Sequence, residues 1–207
     1  MLKKIWQAIR GDGKSLVGVA ARVAGVGLVL LFVGAILVVG GAAGLAWTNT
    51  EEFCVGCHEM KVNVAAEYKD TIHDRNRTGV RAICPDCHVP RQPAALIQRK
   101  MAASFELWGH FTGVIDTKEK FEAERPKLAE HVWTRMLLTD SVECRNCHNA
   151  SKMDPEKQSE KAQARHAKAK AEGLTCIECH FGIAHSEPSG PGPKELKEKL
   201  KLGRSTQ

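Results

Sequence analysis

Cys54-Val55-Gly56-Cys57-His58 decides the fold of this chain, because its pattern returns three times. The repeats are Cys84-Pro85-Asp86-Cys87-His88, Cys144-Arg145-Asn146-Cys147-His148 and Cys176-Ile177-Glu178-Cys179-His180. All eight cysteines fall in these four units; chance would supply on the order of 0.01 such units in a chain of this composition. A zinc ribbon would use paired thiolates but gives no reason for a histidine after every second cysteine. Iron–sulfur clusters favour other cysteine runs, and four local disulfides would leave the histidines unexplained. Covalent haem attachment accounts for both residue types: the two thiols add across the two vinyl groups, and the following histidine is held under the iron as axial ligand. The units therefore predict four c-type haems. Their tethers are Cys54, Cys57, Cys84, Cys87, Cys144, Cys147, Cys176 and Cys179, and their motif ligands are His58, His88, His148 and His180.

The composition agrees. Only 5% of the 207 residues are aromatic, few for an ordinary core, as expected if porphyrins supply buried apolar surface. The net charge of +6 is no argument for nucleic acid. The propionates of four haems would add about −8 and pair with many of the Lys and Arg side chains.

Upstream, residues 23–47 carry no charged side chain. As a helix this run would be about 37 Å long, enough for a hydrocarbon core of about 30 Å. It is too long for the apolar region of a cleaved signal peptide, the competing reading. Lys3, Lys4, Arg10, Lys14 and Arg22 precede it, so the positive-inside rule places 1–22 in the cytoplasm and everything beyond Trp47 outside. Thioether attachment of haem is itself extracytoplasmic in bacteria. The expected organisation is a basic cytoplasmic segment 1–22, a transmembrane helix 23–47, a periplasmic tetrahaem domain 48–188 and a charged flexible tail 189–207, all in a bacterial inner membrane.

The soluble part reads as two halves. Cys84 follows Cys54 by 30 residues and Cys176 follows Cys144 by 32; His73 precedes Cys84 by 11, and His166 precedes Cys176 by 10. A duplicated two-haem unit would give this spacing, with His73 and His166 as distal ligands. The repeat then breaks: His185 follows His180 by five, whereas five beyond His88 stands Pro93. One haem is thus left without an obvious distal histidine. Met60, two residues past His58, is a candidate ligand there, alongside a reading in which it only packs. His110 is held in reserve as a ligand or proton acceptor, and His131 is given no role. The segments between motifs are helix-like: 60–72, 94–111, 118–138 with a break or kink at Pro126, and 156–172 with Gly173 as its stop. No strand signal is present. The fold class expected is mainly α: one N-terminal transmembrane helix and a small multihaem domain of two pseudo-repeated dihaem units.

With the anchor, Glu51-Glu52-Phe53 and the first motif through Met60, the run from Glu67 to His73, Gly79-Val80-Arg81-Ala82, Val114-Ile115-Asp116-Thr117 and the third motif, the chain resembles the NapC/NirT family of tetrahaem quinol dehydrogenases, most of all its NapC branch. The likeness runs from about residue 20 to 187 and lacks the additional haem domain of the pentahaem relatives. The resemblance implies Met60 as ligand to the first haem iron, His73 as distal partner of His180, His185 of His148 and His166 of His88. It also implies a quinol site near the first haem, with Lys100 (or Arg99) orienting the quinol and Glu106 accepting a proton. The expected function is oxidation of menaquinol or ubiquinol from the membrane pool and electron transfer to a periplasmic reductase, nitrate reductase first. The competing readings are a passive electron-transfer or docking subunit serving nitrite or another reductase, and a multihaem reductase of a small molecule. A homodimer is compatible with the sequence.

Overall fold

The computed structural model describes residues 13–201; part of the basic segment 1–22 and the last six residues of the tail lie outside them. Among the described residues every regular element is helical. The chain divides into two compact units, one ending at Thr48 and the other starting at Asn49.

The first unit is helix α1, Gly13–Trp47. Its stretch Val19–Trp47 has a mean hydropathy of 2.8 and buries none of its side chains. A soluble helix this apolar would cover one face against a core; α1 covers none, so its length and composition suit it to crossing a bilayer. Thr48 closes it, its N–H on Gly44 O and its hydroxyl on Leu45 O.

The second unit opens with short helices: α2 (Glu51–Cys54), α3 (His58–Val62), α4 (Val64–Tyr68) and α5 (Cys84–His88). Thr50 caps α2 by accepting from Phe53 N at 3.2 Å. The single helix expected over 60–72 is broken at Asn63, whose backbone leaves the helical region (φ −103°, ψ −95°) while its side-chain amide donates to Glu59 O at 2.9 Å. A side-chain amide that bonds the preceding turn competes with the helix at its own position.

Two longer helices follow, α6 (Pro93–Phe111) and α7 (Lys118–Leu138). Pro93 suits the first turn of α6, where its missing N–H costs nothing. Thr117 caps α7. Pro126 does not end α7, which runs on to Leu138. After α8 (Val142–Arg145), helix α9 (Glu160–Glu172) starts at the Ser159 cap and stops at Gly173, left-handed at φ 63°, ψ 41°. That conformation disfavours any side chain and lets Leu174 N return to Ala169 O.

The buried apolar cluster is small: Trp133, Met136 and Leu137 of α7, Ile177 of the fourth motif, and Leu196. Phe181 meets Trp133 edge-on at 5.7 Å. Leu196 belongs to α10 (Pro193–Lys199), which packs on α7 and on the 176–178 turn. Residues 189–207, expected as a flexible charged tail or a short surface helix, contain α10, which is docked on the unit. The physical reason is amphipathicity: Pro193 and Leu196 turn inward and are buried, while Lys197 donates to Glu178 at 2.9 Å.

Candidate haem-binding site

The four motifs form a connected series. Cys54 ends α2 and Cys57 caps α3, so the first motif spans the joint between two helices. The second motif is α5 itself, started by Ile83 N donating to Asp86 Oδ2 at 2.9 Å. The first motif packs on the second through α2 and α5. The second packs on the third through α5 and α8, and Cys144 and Cys176, the first cysteines of the third and fourth, perturb one another's ionisation. Motif one therefore adjoins two, two adjoins three, and three adjoins four. Ser141, fully buried and left-handed at φ 52°, fastens the last joint: its hydroxyl meets Thr175 Oγ1 at 2.7 Å and accepts from Ile177 N at 3.1 Å.

The distal histidines are brought to motif histidines, in an order other than the resemblance implies. His73 faces His148, His185 faces His88, and His166 faces His180, each with ring centroids 6.1 Å apart. The implied partners His180, His148 and His88 for His73, His185 and His166 are permuted. The reason lies in long-range packing: His73 sits in the turns after α4, whereas His166 projects from α9, one helix away from its own motif.

Those separations suit an iron held between two imidazoles. Metal–nitrogen bonds of about 2.0 Å, plus about 1.1 Å from nitrogen to ring centre, place two ligating rings about 6 Å apart. Iron needs a neutral imidazole, and burial favours that form in four of these rings. Burial, then His185, pushes His88 down to about 3, and burial also lowers His73, His180 and His185. Arg135 adds a second mark of fit. Its Nε and Nη2 are buried without hydrogen bonds, Glu143 stands 3.8 Å off, and its charge reaches His88. A buried guanidinium with orphaned donors suits an anionic propionate. The sparse polypeptide core is the third.

Among the described residues the first motif carries no histidine pair of this kind. Met60 shares α3 with His58 and is half-buried. Between them Glu59 is buried, and His110 Nδ1 of α6 lies 2.7 Å from its Oε1. Burial opposes ionisation of Glu59, but hydrogen bonds from its own backbone and from His110, with the charges of His110 and His58, hold it below the ordinary carboxylate value. Lys100 lies near enough to Cys54 to act on it, and its own pKa is lowered, by burial first. Glu106 pairs with Arg99 at 3.0 Å, and Arg99 Nε donates to His88 O at 3.3 Å. His131 is exposed on α7. Sequence reasoning missed Glu59, although an acid between His58 and Met60 was a visible signal. It also missed Arg125 and Arg135, which no local pattern distinguishes from surface arginines.

Residues 18–190 match the NapC/NirT cytochrome c family, N-terminal region. The chain is 53% identical to the denitrification system component NirT of Stutzerimonas stutzeri over 76% of this chain and 83% of that one. It is 46% identical to the cytochrome c-type protein NapC of Escherichia coli K12 over 91% of each. With the cytochrome c-type protein TorC of Escherichia coli O157:H7 it shares 40% identity over 98% of this chain and 51% of the relative. No solved structure matches the chain. Four complete haem-attachment motifs, three facing histidine pairs and these likenesses together make the chain a tetrahaem c-type cytochrome of electron transport, a member of the NapC/NirT cytochrome c family.

Proposed function

We propose that the chain oxidises quinol, menaquinol or ubiquinol, beside its first haem and passes the electrons to a periplasmic reductase, nitrate reductase first. The observation that carries this reading is the His110–Glu59 pair beside the first motif. Quinol gives up two electrons and two protons. The bound haem supplies a one-electron acceptor, so the polypeptide must take the protons. Glu59, His110 and Glu106 lead outward, with side chains 5%, 37% and 60% exposed. His110 and Glu106 are four residues apart on α6 and share a face. In this reading Lys100 orients the quinol oxygen and His110, its Nδ1 fixed by Glu59, receives the first proton at Nε2. Glu106, held by Arg99, is the second acid on the way to solvent. The eight ligands and eight tethering cysteines named above hold the haems, Met60 and His58 serving the first iron. The helix 23–47 anchors the chain with the haem unit on the periplasmic side.

One point supports nitrate reductase as the acceptor: the likeness to NapC runs over 91% of this chain, against 76% for NirT. The test is reduction of purified haem-loaded chain by menaquinol and ubiquinol analogues, with and without nitrate reductase. Reduction by quinol alone, reoxidation by reductase plus nitrate, and at least tenfold slower reduction in His110→Ala are expected. A wild-type chain that stays oxidised with quinol but accepts electrons from another membrane protein would replace this reading with that of a passive wire. Glu106→Gln at the wild-type rate would remove Glu106 from the scheme.

A further inference from the structure

Helix α6 has two unlike faces. Arg99 donates to His88 O and His110 meets Glu59, so their side of α6, which Glu106 shares, is turned toward the motifs. At about 100° per residue, Ile97, Met101, Phe105, Trp108 and Phe111 fall in one stripe roughly opposite that row. They are 44–80% exposed. Three of the chain's eleven aromatic residues stand here. Around the stripe stand Ala94, Gln98, Ser104 and Thr112, all uncharged, and the nearest charge is Lys100 at its edge. From these exposures the apolar surface is roughly 600 Å², the upper end of the largest patch that a soluble monomer ordinarily leaves open.

We infer that this stripe lies in the interfacial layer of the bilayer, making α6 an in-plane membrane helix. Arg99 and His110 hold the second and first motifs against the other side of α6, away from the stripe. The composition selects lipid over a protein partner. Phe and Trp suit the headgroup–acyl boundary, and no acid interrupts the face. Covalent reach is compatible: six residues separate Trp47 from Cys54 and span at most about 25 Å, and Lys100 acts on Cys54. The inference is independent of quinol chemistry. It assigns lipid contact to α6 whether or not the chain oxidises quinol.

The test places photoreactive benzoylphenylalanine in the full haem-loaded chain, as Phe105→benzoylphenylalanine and separately Phe111→benzoylphenylalanine, with Lys168→benzoylphenylalanine on exposed α9 as control. Each protein is reconstituted without quinone in nanodiscs of phosphatidylethanolamine and phosphatidylglycerol, irradiated and read by intact mass. The inference requires phospholipid adducts at 105 and 111 at least ten times those at 168. Equal yields at all three sites would overturn it. So would adducts carrying a second copy of the chain in place of phospholipid. A repeat with menaquinone present, in which the quinone replaced phospholipid as the main adduct, would reassign the stripe to the quinol tail.

Discussion

Arg125→Met tests how the polypeptide holds a haem ligand at long range. Arg125 is buried and donates to both oxygens of Glu67, at 2.9 and 2.6 Å, and to both of Glu122, at 2.7 and 2.8 Å. It also lies over Phe121 at 5.0 Å. Glu67 in turn accepts from Ser186 N at 3.0 Å, one residue beyond His185. The guanidinium thus ties α4, α7 and the His185 loop together. The Glu122 half is largely exposed and is worth less than about 1 kcal/mol. The Glu67 half is mostly buried, and breaking such a pair from one side costs about 3 kcal/mol after allowing for partial access of water. For a chain of this size that is a fall in Tm of about 10 °C. Soret-monitored thermal unfolding of the haem-loaded protein reads it, and electron paramagnetic resonance reads whether the haem on Cys84 and Cys87 loses low-spin character. The pH dependence has a defined sign. Burial alone would raise the Glu67 pKa, but Arg125 and Ser186 N–H lower it below 4.5. This contribution is full above pH 4.5 and lost as pH falls through the depressed folded value, so wild type and variant converge in acid. A Tm within 2 °C of wild type with an unchanged spectrum would refute the clamp.

Three further expectations follow from the same structure. His185→Ala should turn the haem bound by His88 high-spin and open to carbon monoxide while sparing the one bound by His148; the reverse result would restore the pairing implied by family resemblance. Arg135→Gln removes a buried positive charge near His88, so the potential of that haem should fall by about 50 mV in a potentiometric titration, and no shift would discard the propionate assignment. Leu196→Ala should cost about 2–4 kcal/mol in denaturant unfolding; a loss under 0.5 kcal/mol would mean that α10 contributes no core.

Features set by neighbours along the chain are legible in the sequence alone. The motif chemistry, α7 from 118 to 138 and the Gly173 stop are of this kind, because their causes lie within a turn or two. The break at Asn63 is not, since the hydrophobic spacing of 60–72 continues through it and a single side-chain hydrogen bond decides it. The tail misleads by composition: its lysines are conspicuous, while the two residues that dock it, Pro193 and Leu196, are ordinary. Histidine pairing is hidden for a different reason. Spacing identifies His73, His166 and His185 as available ligands, but which motif each meets depends on packing between segments tens of residues apart.

That pairing changes what the internal repeat means. Within each half, the first cysteine of one motif perturbs the ionisation of the first cysteine of the next, Cys54 with Cys84 and Cys144 with Cys176. Each half thus carries a similar two-motif joint, as spacing suggested. Two of the three histidine pairs nevertheless cross between halves. His73 of the first half faces His148 of the second, and His185 of the second faces His88 of the first. Neither half could complete its own ligation. The crossing does the work that a large apolar core does elsewhere: two iron–ligand bonds would join the halves where the polypeptide offers mainly Trp133, Met136, Leu137, Ile177 and Leu196. It also falls where motif two meets motif three, the joint between the halves.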